Sequence, residues 1–245
     1  MSDESNKGSG YANFDRALEK PAEQPATHQA ATVILLRDGA EGLETLMLRR
    51  NSKLDFVGGM WVFPGGRLDP EDWEGIEPDD RVGASRRAAV REAREESGLE
   101  IEDSALDVYS HWEPPSITPK RFLTWFFVAP APSGTVEIDG GEIHESAWMR
   151  PAEALRRRDA SEIELAPPTW VTLYELSQHA DVAAAIASVR AREPESFTTK
   201  IARVDGGVAA LWHGDAGYES SDPSTVGPRH RLWMLKTSWR YERTP

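Results

Sequence analysis

The sequence predicts an α/β fold with an additional α+β segment at its C-terminal side, and three observations carry that reading. Apolar, β-branched or aromatic runs at residues 30–36 and 122–129 have the composition of buried strands. Between them, residues 84–97 carry charged positions at helical spacing beside Ala88, Ala89 and Ala93. After Pro168, two helical stretches precede a hairpin centred on Asp205-Gly206-Gly207.

The first 29 residues are rich in Ser, Gly, Pro, Glu and Gln and read as a disordered arm. A buried strand is expected at 30–36, a turn from Asp38-Gly39 to Gly42, and a paired strand at 43–50. Trp61-Val62-Phe63 is a third short strand, stopped by Pro64. Residues 67–82 are acidic, contain two prolines and read as an inserted loop. The helix at 84–97 has a small-residue face, and Gly98 suits a left-handed cap. Strands follow at 106–111 and 122–129, where the consecutive aromatics Trp125, Phe126 and Phe127 suggest burial on both faces. Helices are expected at 151–158, with proline first, at 168–179, and at the alanine-rich 182–192. Strands at 200–204 and 208–212 form the hairpin, and 231–241 adds a last strand. The chain therefore divides into an arm (1–29), a core with its inserted loop (30–160), and an extension packed on that core (161–245).

With 245 residues, a single large core can form without staples, and the absence of cysteine excludes disulfides, thiol nucleophiles and zinc–thiolate sites. A net charge of −13 disfavours partners held through basic patches, so neither nucleic acid nor an anionic membrane is expected. No apolar stretch reaches the ~20 residues of a bilayer span, and Met1-Ser2-Asp3-Glu4 lacks the features of a secretory leader. The ending Arg243-Thr244-Pro245 is not a peroxisomal tripeptide, and a cytoplasmic location is expected. The alanine-rich helix with Trp212, Trp233 and Trp239 offers either remaining core or the interface of a homodimer.

The chemistry concentrates in residues 91–99, which read Arg-Glu-Ala-Arg-Glu-Glu-Ser-Gly-Leu. On a helix, Glu92 lies above Glu95 and Glu96, while Arg91 reaches Glu95 at i+4. Three crowded carboxylates repel one another unless cations hold them, and hard divalent ions with oxygen ligands, Mg²⁺ or Mn²⁺, suit that donor set. The bland alternative is a solvated charged face. Gly65-Gly66, upstream, lets the backbone approach a phosphate or offer the Gly65 carbonyl to a metal.

These residues resemble the signature of the Nudix hydrolases: a glycine, a loop, then Arg-Glu-x-x-Glu-Glu-x-Gly-aliphatic. The second half matches at Arg91, Glu92, Glu95, Glu96, Gly98 and Leu99. The first half departs, since Gly66 stands 25 positions before Arg91, eleven more than in the usual pattern, and Gly83 occupies the place of the usual upstream glutamate. Asp79 or Asp80 could substitute for it. The segment Leu46-Met47-Leu48-Arg49-Arg50, Gly59, Phe63-Pro64-Gly65-Gly66 and the insertion starting Arg67-Leu68-Asp69-Pro70 resemble the coenzyme A and acyl-CoA diphosphatase branch.

The resemblance implies an α/β/α sandwich with a mixed β-sheet. It also implies hydrolysis of a pyrophosphate linkage in a small-molecule nucleotide, with CoA or acyl-CoA yielding 3′,5′-ADP and (acyl-)phosphopantetheine as the leading case. An ADP-ribose or NADH pyrophosphatase and a non-catalytic nucleotide sensor are the alternatives. It implies metal ligation by Glu92, Glu95, Glu96 and the Gly65 carbonyl, with Arg91 orienting Glu95. Glu142 and Glu145, after Gly140-Gly141, are equal candidates for a further ligand or general base. Arg50 and Arg67, flanking the diglycine, lead the phosphate contacts, ahead of Arg121, Arg49, Lys53 and Lys120. Trp61, Trp112, Trp125 and Trp148 are core residues or adenine stackers.

Overall fold

The computed structural model describes residues 14, 17–20, 25–51, 59–138, 140–236 and 238–244. Its centre is β1 (Ala26–Gly39), in which Val33, Ile34, Leu35 and Leu36 are all but fully buried. Each such side chain contributes about 2 kcal/mol of transfer free energy, which fixes this strand in the interior. The strand pairs antiparallel with β2 (Gly42–Arg50) and parallel with β6 (Lys120–Pro130). Around it an eight-stranded sheet runs in the order β3 (Trp61–Val62), β2, β1, β6, β5 (Asp107–Glu113) and β8 (Glu195–Thr198). β4 (Gly65–Arg67) pairs with β1 and β7 (Ile143–Met149) with β2. The β1–β6 and β5–β8 pairs are parallel and the rest antiparallel, so the sheet is mixed.

Alternation along β1 splits the core into two layers. Ala31, Val33 and Leu35 face α1 (Arg81–Ser97), whose Ala88, Ala89 and Ala93 let the helix backbone sit close to the sheet. Ile34 and Leu36 face the other side, where α2 (Pro151–Asp159), α3 (Pro167–Leu176) and α4 (Val182–Arg190) pack with the C-terminal segment. Helices therefore cover both faces of a mixed sheet, as the resemblance implied. Phe127 belongs to the first layer and Phe126 to the second, so β6 is buried on both faces as its aromatics suggest.

The C-terminal residues fold as a four-stranded antiparallel sheet of β9 (Lys200–Val204), β10 (Gly207–Leu211), β11 (His230–Leu235) and β12 (Trp239–Arg243). Residues 231–241 thus turn back on themselves instead of forming one strand. Trp212 and Trp239 lie in the shared core, and Trp233 is half-buried. The paired strand begins at Ala26, so residues 26–29 are not part of a free arm; most of what precedes them, like Lys53, lies outside the described residues. Among the described residues no helix is long and apolar enough to cross a membrane.

Candidate functional site

The carboxylate helix is fixed at both ends by its own sequence. At the start, the Asp80 side chain accepts the Gly83 N–H at 2.8 Å, and at the end Gly98 (φ 70°) adopts the left-handed conformation that donates its N–H to the Arg94 carbonyl. Asp80 is therefore spent on capping, and the acids that stand against Arg91 are Asp69, Asp72, Glu92 and Glu95.

Opposite the helix, β4 brings the diglycine against Glu92 and Glu96. The Gly65 N–H donates to Glu96 Oε2 at 2.9 Å, while Pro64 supplies its carbonyl to Val33 N–H and Thr32 Oγ1. Gly65 is needed for the strand's close approach, and at Gly66 a side chain would push the Glu92 carboxylate aside. A Cβ on Gly65 would lie 2.4 Å from the Ala31 carbonyl oxygen, and one on Gly66 would lie 2.2 Å from Glu92 Oε1. Gly65 meets the site through its N–H, which stands against the Glu96 carboxylate.

Glu96 is 5% exposed, and burial pushes its carboxyl up to about 8 against the opposing pull of the Gly65 N–H, with the charges of Glu92 and Glu142 adding to the rise. Burial raises Glu92 as well, opposed by Arg91 and reinforced by Glu95 and Glu142. Arg50 bridges the acids: Nη2 stands 2.9 Å from Glu142 Oε2 and Nη1 3.6 Å from Glu96 Oε1. Its guanidinium is thus in the site but engaged with carboxylates.

Arg91 donates to one oxygen of Glu92 (3.0 Å), one of Glu95 (3.2 Å), the Arg67 carbonyl (2.9 Å), and both oxygens of Asp72. Its pKa is raised, most strongly by the bond to Asp72. Asp72, 3% exposed on the 3₁₀ turn Pro70–Trp73, is the acidic partner that sequence reasoning missed. A faint signal existed, because Asp69 followed by proline and an acid three positions on is a turn-starting pattern, and here the Asp69 N–H donates to Asp72 Oδ2.

Several expected residues lie elsewhere. Glu145 pairs with Arg49 on β7 and β2, on the sheet face opposite α1, where both line a separate cavity of about 290 Å³ with Trp61 and Arg157. A register shift beside Arg49 and Arg50 interrupts the alternation between β2 and β7, so Glu145 pairs with Arg49 on the far face, the acid that reaches Arg50 is Glu142, and Glu145 is corrected away from the site. Arg67 contributes its backbone carbonyl while its side chain is exposed, and Arg121 donates to the Pro114 carbonyl, bracing the β5–β6 connection. Lys120 is exposed at the start of β6. Trp61 and Trp112 are core residues; Trp125 stacks on His111 at 4.4 Å, and Trp148 lies under Arg37 at 4.3 Å.

Among the described residues no three acidic or histidine side chains already close around one point. The donor set nonetheless fits a hard divalent cation: Glu92 and Glu96 are crowded, partly desolvated oxygens whose mutual repulsion such an ion would relieve. Mg²⁺ sites are commonly completed by water and substrate phosphate and need no all-protein cage.

Comparison with known proteins agrees with this fold. The NUDIX domain profile matches residues 26–181. The peroxisomal coenzyme A diphosphatase ndx-8 of Caenorhabditis elegans is 36% identical over 87 residues, covering 35% of this chain and 33% of that protein. The chain thus matches about a third of that relative's length. The crystal structure of a NUDIX hydrolase from Alicyclobacillus acidocaldarius superposes with a TM-score of 0.61 at 23% identity, over 67% of this chain and 97% of that one, and shares its fold. A profile extending over more than half of the sequence, with the signature acids drawn to the diglycine bend, places this chain in the NUDIX domain family.

Proposed function

We propose that the chain hydrolyses the pyrophosphate linkage of a nucleoside diphosphate derivative with the help of Mg²⁺ or Mn²⁺, and that CoA or acyl-CoA is the substrate, giving 3′,5′-ADP and (acyl-)phosphopantetheine. The observation that carries the reaction type is Glu96: a carboxylate buried against the Gly65 N–H and crowded by Glu92 and Glu142, an arrangement that is costly unless a cation is taken up. The CoA choice is supported by the motif before the insertion and by the similarity over 87 residues to the worm coenzyme A diphosphatase.

In this reading Glu92, Glu95 and Glu96 hold the cation. When bound, it neutralises phosphate charge and lowers the pKa of water near the phosphorus. The Gly65-Gly66 backbone receives the diphosphate beside the helix carboxylates, and a side chain at Gly66 would displace Glu92. Glu142, on the solvent edge and held by Arg50, takes the proton of the attacking water. The new bond joins water oxygen to phosphorus, the bridging oxygen leaves with the other phosphate, and Arg50 limits repulsion between Glu96 and Glu142.

A panel of CoA, an acyl-CoA, ADP-ribose and NADH, each with Mg²⁺ and with Mn²⁺, tests the proposal. Cleavage of CoA compounds to 3′,5′-ADP is expected. Turnover of ADP-ribose with CoA compounds untouched overturns the substrate, and tight nucleotide binding without any turnover overturns the reaction.

A further inference from the structure

A cleft of about 850 Å³ opens between α3, α4 and β12, on the sheet face opposite the carboxylate helix, where the core meets the C-terminal sheet. Its size suits a small-molecule ligand. Three arginines line it, Arg192, Arg229 and Arg243, against two acids, Glu175 and Glu242, so its charge runs opposite to that of a chain with a net −13. Two of the three are engaged. Arg243 donates to both oxygens of Glu195, at 2.7 and 3.0 Å, and Arg192 stands 3.5 Å from Glu175 Oε2. The acids are engaged too: Glu175 accepts the Tyr109 hydroxyl at 2.6 Å, and Glu242 pairs with Arg240 at 2.8 Å.

Arg229 differs. It is half-buried and donates from Nη1 to the Thr225 carbonyl at 2.6 Å, while among the described residues no carboxylate pairs with it and nothing takes Nε or Nη2. Those two groups form the side-on edge on which a phosphate or carboxylate makes two parallel bonds. The backbone beneath is fixed, since the Arg229 N–H donates to Thr244 Oγ1 at 2.6 Å and its carbonyl accepts the Thr244 N–H at 2.8 Å. An anion that meets this edge incurs little ordering cost. An aromatic plate lines the same cleft. Tyr174 is 36% exposed, yet its ring is held in place by stacking on the buried Trp170 at 5.7 Å and by an edge-on contact with Tyr241 at 5.5 Å.

We propose that this cleft is a second ligand site and that it takes a mononucleotide: the planar base lies against Tyr174, and the phosphate occupies the open edge of Arg229. A ring makes use of the plate and a dianion makes use of the unpaired guanidinium, whereas a nucleoside or inorganic phosphate meets only one of the two. No residue of the carboxylate helix takes part, so the proposal does not depend on the reaction proposed above.

The experiment is isothermal titration calorimetry of the full chain with AMP and with adenosine, in EDTA so that no cation draws phosphate to Glu92 and Glu96. Wild type, Arg229→Gln, Tyr174→Ala and Arg50→Gln are compared. AMP is expected to bind wild type at one site, and adenosine about tenfold or more weaker, as loss of a charge-assisted pair implies. Arg229→Gln is expected to weaken AMP by the same factor and to leave adenosine unchanged. Tyr174→Ala is expected to weaken both ligands by about threefold to tenfold, the worth of one stacked ring. Arg50→Gln, on the other face of the sheet, is expected to bind AMP as wild type. A wild type that binds no AMP overturns the proposal, as does equal affinity for adenosine and AMP. AMP binding lost in Arg50→Gln and kept in Arg229→Gln also overturns it, because the nucleotide then sits at the carboxylate helix. Should Arg229→Gln or Tyr174→Ala fail to fold, a crystal structure of wild type with AMP decides: phosphate on Arg229 supports the proposal, and an empty cleft overturns it.

Discussion

Gly66 is the position where one added carbon acts directly on a signature acid. Its Cβ would overlap Glu92 Oε1, so Gly66→Ala must displace either the carboxylate or β4. A shift of about 1 Å at such a site costs on the order of 10²-fold in rate. Steady-state kinetics on Gly66→Ala are expected to show that loss in kcat with an unfolding midpoint close to wild type; an unchanged kcat would remove Glu92 from the chemistry. The signature acids were legible in the sequence because helix geometry relates Glu92, Glu95 and Glu96 by spacing alone. Asp72 was not, since its bond to Arg91 joins positions 19 apart across an irregular turn that no period encodes. The choice between Glu142 and Glu145 was equally hidden: it turns on a register shift beside Arg49 and Arg50 that leaves Glu145 paired with Arg49 on the far face, and no sequence period encodes such a shift.

Among the secondary-structure elements, α1 is the one on which the site stands, and its first turn hangs on Asp80. Asp80→Ala removes the acceptor of the Gly83 N–H and is expected to cost about 1 kcal/mol, readable as a lower urea midpoint with an unchanged slope. A midpoint equal to wild type would contradict that role. Long, strongly patterned elements were foreseen nearly to their ends: α1, β6 and the β9–β10 hairpin follow from alanine spacing, consecutive aromatics and a glycine turn. The short ones were not. β4 is three residues containing two glycines, and β8 is four residues held by parallel pairing with β5, far away in sequence. Such strands exist because of their neighbours, not their own propensity.

Taken together, the core and the C-terminal sheet share one interior, where Trp212 meets Trp112 edge-on at 5.6 Å. The C-terminal sheet carries its own internal clasp, a fully buried pair of Asp215 and Arg231. Burial pushes the Asp215 carboxyl up, but bonds from Arg231 and the His230 and Gly217 N–H groups outweigh it and hold it below its ordinary 3.8. The folded protein thus binds that proton less readily than the unfolded chain. The resulting stability is fully present above the unfolded value near 4 and is lost as pH falls through the lower folded value. Asp215→Asn, leaving Arg231 buried without its charge partner, is expected to cost about 3–5 kcal/mol at neutral pH, measured by chemical denaturation. In the same variant, the stability decline below pH 4 should be shallower, and an identical decline would assign it to other acids. The chemistry itself is decided by one comparison: CoA turnover by wild type and by Glu96→Gln in Mg²⁺, with 3′,5′-ADP quantified by chromatography. The expected result is release that stops when Mg²⁺ is chelated and falls about 10²-fold or more in Glu96→Gln, whereas equal rates in the two proteins, or release indifferent to Mg²⁺, would contradict hydrolysis by cation-gathering acids.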